Sequence, residues 1–144
     1  MEIALVIAIY AALVATASVI AQVVTWRASG ARVEVTTNYG FLVSGPRVSD
    51  QHVIVTATNK GRASVALTSW GFDLGGDRKL VVLQPLPQST GLPHTLDGGH
   101  EASFFMALDD FENSMREHGH NSARAYVKLG NDKRVLAKKS IALR

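Results

Sequence analysis

Between Ile3 and Val24 the chain carries no charged residue. Alanine, valine, isoleucine and leucine fill most of that run. A helix needs about 20 apolar residues to cross the hydrocarbon core of a bilayer, and this uncharged run is twenty-two residues long. The rest of the 144 residues is turn-punctuated and mixes polar with apolar positions at short period. The chain therefore reads as a membrane helix at residues 1–26, a short joint at 27–31 and one domain at 32–144.

Flanking charge gives the orientation. Ahead of the run stand only the terminal amine and Glu2. Behind it come Trp26, Arg27 and Arg32, with Arg47 further on. Tryptophan suits the interface and arginine the cytoplasmic side. The expectation is a single-pass protein of the cell membrane, with the bilayer spanned by residues 3–24 and the domain in the cytoplasm; an extracytoplasmic domain is the alternative.

A cleaved signal peptide competes with a retained helix, because Ala15-Thr16-Ala17 has the form of a cleavage site. Such a peptide wants a basic segment before its apolar core, and no Lys or Arg precedes Ile3. The same lack argues against a pilin-type leader. A third reading is an apolar helix buried in a soluble core. Ala4, Ala8, Ala12 and Thr16 recur at four-residue spacing, a small-residue face on which membrane helices pack. Self-association through the anchor stands beside plain alanine richness as its explanation.

Beyond the joint lie about 110–115 residues, the size of one domain able to bury its own core. Cysteine is absent, which excludes a disulfide framework and any thiolate metal or redox site. Net charge is +3, and with Glu2 set aside fifteen Lys and Arg face eleven carboxylates. Much of the excess gathers at the end, in Lys133, Arg134, Lys138, Lys139 and Arg144 against Asp132. It favours anionic lipid or an acidic partner and is too small to indicate nucleic acid. On a final strand the same residues also read as a charged edge that discourages pairing between chains.

The domain reads as strands. Arg32 to Thr37 alternates polar and apolar residues, the pattern of a half-buried strand, and Tyr39 to Val43 continues or restarts it before Ser44-Gly45-Pro46. His52 to Thr58 is rich in β-branched residues. Asn59-Lys60-Gly61-Arg62 turns into a strand from Ser64 to Leu74. In that strand Val65 and Leu67 share one face, whereas Trp70, Phe72 and Leu74 share the other. Side chains alternate with period two, so a β-bulge or a crossing between sheets is expected near Thr68-Ser69. Leu74-Gly75-Gly76-Asp77 turns back into Lys79 to Leu83.

Gln84 to Pro93 holds three prolines and reads as a loop. His94 to Leu96 leads to an Asp97-Gly98-Gly99 turn, and Glu101 to Leu108 is a strand with Phe104, Met106 and Leu108 inward. Asp109 and Glu112 have capping-box spacing. Leu108, Phe111 and Met115 form a stripe, and Gly119 can end the helix, giving a short helix at about 109–118. Ala123 to Leu129 alternates cleanly, Gly130-Asn131-Asp132 is a hairpin turn, and Lys133 to Ile141 closes the domain. About seven strands with one short helix predict a mainly β fold, an immunoglobulin-like β-sandwich. Val53, Val55, Leu67, Trp70, Phe72, Phe104, Val127 and Leu129 are expected to be buried.

Three stretches carry a resemblance: Val55-Thr56-Ala57-Thr58-Asn59-Lys60-Gly61-Arg62, Thr68-Ser69-Trp70-Gly71-Phe72, and Leu92-Pro93-His94-Thr95-Leu96-Asp97-Gly98-Gly99. Together they resemble a group of small actinobacterial and phage-borne membrane proteins with one N-terminal helix and a β-sandwich. The resemblance implies the fold and the anchor. It transfers no activity and no catalytic residue.

Catalytic chemistry finds little to work with. His118 and His120 follow Asp109, Asp110, Glu112 and Glu117, and imidazole with carboxylate can bind metal. Their spacing matches no ligand pattern, and a helix end explains them. His94 and His100 flank a turn. Ser69 lies inside a strand without the positioned base and oxyanion hole that a serine nucleophile needs. Gly75-Gly76 and Gly98-Gly99 are hairpin glycines that belong to no phosphate-binding loop. Trp70 and Phe72 suit a core better than a ligand platform.

No catalytic, cofactor or metal residue is therefore assigned, and an enzyme is not expected. The leading expectation is a membrane-tethered interaction module. It would meet a protein partner through its loops, chiefly 84–93 and the 109–121 region, since binding residues concentrate on loops. The alternative is a phage or prophage accessory membrane protein acting on the host envelope, for example in superinfection exclusion. An unrecognised enzyme would need a deep pocket with converging polar groups.

Overall fold

The computed structural model describes residues 1–83 and 85–143. They fall into two compact units that divide after Gly30. The first is one helix, α1, Glu2–Ser29. Arg27, Ala28 and Ser29, expected in the flexible joint, are helical. Nothing in the sequence breaks the helix before Gly30, which leaves it with extended backbone. The helix is long and apolar enough to cross a membrane. Thr16, Ser18 and Thr25 donate their hydroxyls to the carbonyls of Ala12, Val14 and Ala21 at 2.8–2.9 Å. Such back-bonding satisfies each hydroxyl within the helix itself.

The second unit is a β-sandwich. Its strands are β1 Val33–Ser44, β2 Arg47–Asn59, β3 Val65–Gly75, β4 Arg78–Val81, β5 His94–Leu96, β6 Glu101–Ala107, β7 Ser122–Leu129, β8 Arg134–Leu136 and β9 Ile141–Ala142, with α2, Leu108–Glu117, between β6 and β7. The smaller sheet has the order β1-β2-β6. The larger runs β4-β3-β7-β8, with β5 also on β3 and β9 also on β7. Every pairing is antiparallel.

The sheets meet on the residues the alternation selects. All eight residues expected in the core are buried. Trp70 of β3 stacks on Phe104 of β6 at 5.3 Å, joining the two sheets. Phe72 meets Trp70 edge-on at 6.0 Å and Phe111 of α2 at 4.7 Å. The irregularity expected in β3 is a register shift against β7 between Leu67 and Ser69. It reverses the parity of the strand, so that Leu67 and Trp70 both enter the core.

Three expectations need correction. Among the described residues there are nine strand segments rather than about seven. The closing strand is split into β8 and β9, both on β7, and Ala137 bridges the gap by donating its N–H to Ala125 O at 2.8 Å. The short helix begins one residue early, at Leu108, and Ala107 rather than Asp109 is its N-cap, with no side-chain capping bond. Strand β6 runs straight into the helix, which places Asp109 and Asp110 in its first turn, where they favour the positive end of the helix dipole. Glu112 pairs with Arg116 at 3.5 Å instead of reaching back. Leu108, expected at the end of a strand, is helical and half-buried.

The helix ends as the sequence indicates. Gly119 adopts φ +71, its N–H bonds to Arg116 O at 3.1 Å and that of His120 to Met115 O at 3.0 Å. These two bonds form a Schellman motif.

Candidate interaction surface

The strands of the smaller sheet differ in reach. Strand β2 pairs with β6 only from His52 to Thr58. Its pairing with β1 continues outward through Phe41↔Gln51 and Val43↔Val48 to Ser44↔Arg47. The distal hairpin is thus a two-stranded extension beyond the β2–β6 pairing. Gly45, at φ +61, makes its turn, a conformation that glycine adopts without strain.

This extension is apolar and uncovered. Phe41 is 59% exposed, Val43 70% and Val48 65%. A register shift between Phe41 and Val43 interrupts the ladder. Ser49 fills the gap: its Oγ accepts the Leu42 N–H at 2.9 Å and donates to Asp50 O at 3.0 Å. His52 Nδ1 stands 3.4 Å from the same Oγ. Beside the hairpin runs a groove of about 380 Å³, lined by Leu42, Arg47, Val48 and His52 on one side and by Leu86 and Pro87 on the other.

The proline-rich segment supplies that second wall and is held in place. Ser89 Oγ accepts the Phe105 N–H at 2.8 Å, and the Thr90 N–H bonds to Ser103 O at 2.9 Å. The segment therefore lies along the otherwise open edge of β6. Of the loop expected as a binding element, Gln84 lies outside the described residues, as does Arg144 of the basic end. The other expected element, 109–121, is docked through buried Phe111 and Met115.

The remaining candidates stay apart. His118 Nδ1 donates to Ser114 O at 2.7 Å on its own helix, and His100 Nδ1 stands 3.1 Å from Gly98 O. Among the described residues no three His, Asp or Glu side chains converge as a metal site requires. Ser69 sits on the outer face of β3, opposite Lys128 in the register. Trp70 and Phe72 lie fully in the core.

Sequence reasoning passed over the distal hairpin. The signal for it was the alternation Tyr39, Phe41, Val43, which runs on past the part of β2 that β6 covers.

No family model matches the chain, and no curated protein matches it. Among solved structures it is similar to the X-ray structure of a Northeast Structural Genomics Consortium target, SoR45, at 17% identity and a TM-score of 0.32, over 81% of this chain and 87% of that one.

Proposed function

We propose that the chain is a non-catalytic interaction module held at the cell membrane by a retained single-pass helix, with its sandwich, immunoglobulin-like in kind, on the cytoplasmic side. In this reading the groove beside the distal hairpin takes an apolar segment of a protein partner. The observation that carries it is the distal hairpin itself, a paired extension whose Leu42 and Val48 line the groove and whose Phe41 and Val43 stand exposed beside it. Exposed apolar side chains gathered on one ordered element mark contact sites more often than chance exposure does. At protein interfaces a few buried anchors carry most of the binding energy, and Phe41 is the large aromatic of this hairpin.

A photo-crosslinking side chain placed at Val48 in native membranes tests this. The expected result is one discrete protein adduct that disappears in the Leu42→Asp background, where a groove-lining apolar side chain is replaced by a charge. Adducts identical to those from a control position, Thr36, or no protein adduct at all, would refute the assignment of the groove.

A further inference from the structure

Charge in the sandwich is segregated by sheet. The strands of the larger sheet carry Arg78, Lys79, Arg124, Lys128 and Arg134 against one carboxylate, Asp73. Those of the smaller sheet carry Glu34, Asp50 and Glu101 against one cation, Arg47. The cross-strand registers order the outer face of the larger sheet into rows. Its middle row is Val81, Gly71, Tyr126 and Leu136. On one side lies the row Lys79, Asp73, Arg124, and on the other Ser69, Lys128, Arg134.

We propose that this face docks on the anionic lipid headgroups of the membrane that holds α1. The inference rests on the anchor reading above. Its middle row is apolar and accessible at both ends, with Val81 50% and Leu136 41% exposed. Between them Tyr126 lies buried against Gly71, with the Arg134 guanidinium 5.8 Å above its ring. Cations therefore flank an aliphatic strip, which is the arrangement of a surface that meets headgroups with its charges and the acyl boundary with its apolar side chains.

The carboxylates nearby do little to cancel this. Arg134 is 3.9 Å from Asp73, and Lys128 is 3.1 Å from Asp132. The Lys128–Asp132 pair is exposed enough for salt to screen it, and the more sheltered Arg134–Asp73 pair leaves Lys79 and Arg124 of the same face with no carboxylate in ion-pair contact among the described residues. The opposite sheet has the wrong sign for an anionic surface. Only a short joint separates the end of α1 from the start of β1, so the tether keeps the domain at high effective concentration near the headgroups.

The full chain has no cysteine, which permits single-site labelling. An environment-sensitive fluorophore is placed at Val81→Cys, or at the control Thr36→Cys on the smaller sheet. Each protein is reconstituted into nanodiscs of phosphatidylcholine, with or without phosphatidylglycerol, containing a headgroup-attached quencher. The expected result is quenching of the Val81 label in the phosphatidylglycerol discs alone, with the Thr36 label unaffected. Quenching is lost when salt rises to ~1 M, where the Debye length falls to about 3 Å. Each of Lys79→Glu and Arg124→Glu lowers the docked population at least about fivefold. Quenching that is equal in the two lipids, or confined to the Thr36 label, overturns the proposal, and the salt series on the otherwise unaltered chain decides the matter even if a charge reversal misfolds. A chain that fails to enter the discs overturns the anchor reading itself, and this is read separately from co-elution with the discs.

Discussion

Asn59 is fully buried and uses its whole side-chain amide. Its Oδ1 accepts the N–H groups of Arg32 at 3.1 Å and Gly61 at 3.0 Å, while its Nδ2 donates to Ala63 O at 2.7 Å and Leu96 O at 3.1 Å. One side chain thus ties the start of the domain to the β2–β3 turn and to β5. Asn59→Ala leaves several buried backbone groups without a partner and should cost about 2–3 kcal/mol, seen as a lower denaturant midpoint. The sequence marked Asn59 only as a turn residue. Its role depends on Leu96, thirty-seven positions away, and no local pattern reports such a partner. Trp70 was legible, because alternation placed it inward. Trp70→Ala should cost about 3–5 kcal/mol, and an unchanged melting temperature would contradict its place between the sheets. Gly71 is fixed by close approach: a Cβ there would fall 1.9 Å from Leu80 O. Gly71→Ala must push β4 away from β3, and a loss of about 1–3 kcal/mol in denaturant unfolding is expected.

At the level of elements, turns and core faces were readable and edges were not. Glycine turns such as Gly75-Gly76, with φ +95 and +58, announce themselves by composition. The bulge in β3 showed as a break in parity. The split of the last strand did not show, because Arg134 to Ile141 keeps enough β-branched and basic residues to pass for one strand. The path of residues 85–93 along β6 was equally hidden: proline spacing signals an irregular segment and says nothing of which edge it covers. Ser89 and Thr90 now have a specific task there. The pair Ser89→Ala and Thr90→Ala removes the Phe105 N–H and Ser103 N–H bonds to the two side-chain oxygens. The variant should uncover the β6 edge and aggregate faster on mild heating, as light scattering would record. A variant that scatters no more than the parent would show that the proline segment is dispensable as cover.

Across the whole domain, Glu34 closes one side of the sandwich. It sits on β1, pairs with Lys60 and reaches Lys138 at 3.4 Å on the segment between β8 and β9. The hydrogen bond from Lys60, helped by Lys138, holds its carboxyl below the usual carboxylate range. A depressed folded-state pKa means that this contribution is present above the unfolded-state value and is lost as pH falls through the folded-state value. Glu34→Gln should therefore flatten the acid limb of stability against pH while changing little at pH values below it. The long apolar helix and the core face of each strand were legible in the sequence because hydropathy writes them directly. The segregation of charge between sheets was not, since it appears only once register assigns each strand to a sheet and each residue to a face.

The central claim is that a retained helix holds this sandwich on the inner side of a membrane. With no native cysteine, an Asn131→Cys chain can be probed in intact cells with a membrane-impermeant maleimide, and again after permeabilisation. The account predicts a protein that sediments with membranes, resists carbonate extraction, keeps its full mass and is labelled only after permeabilisation. Labelling in intact cells, release by carbonate, or a mature terminus at Ser18 would contradict it.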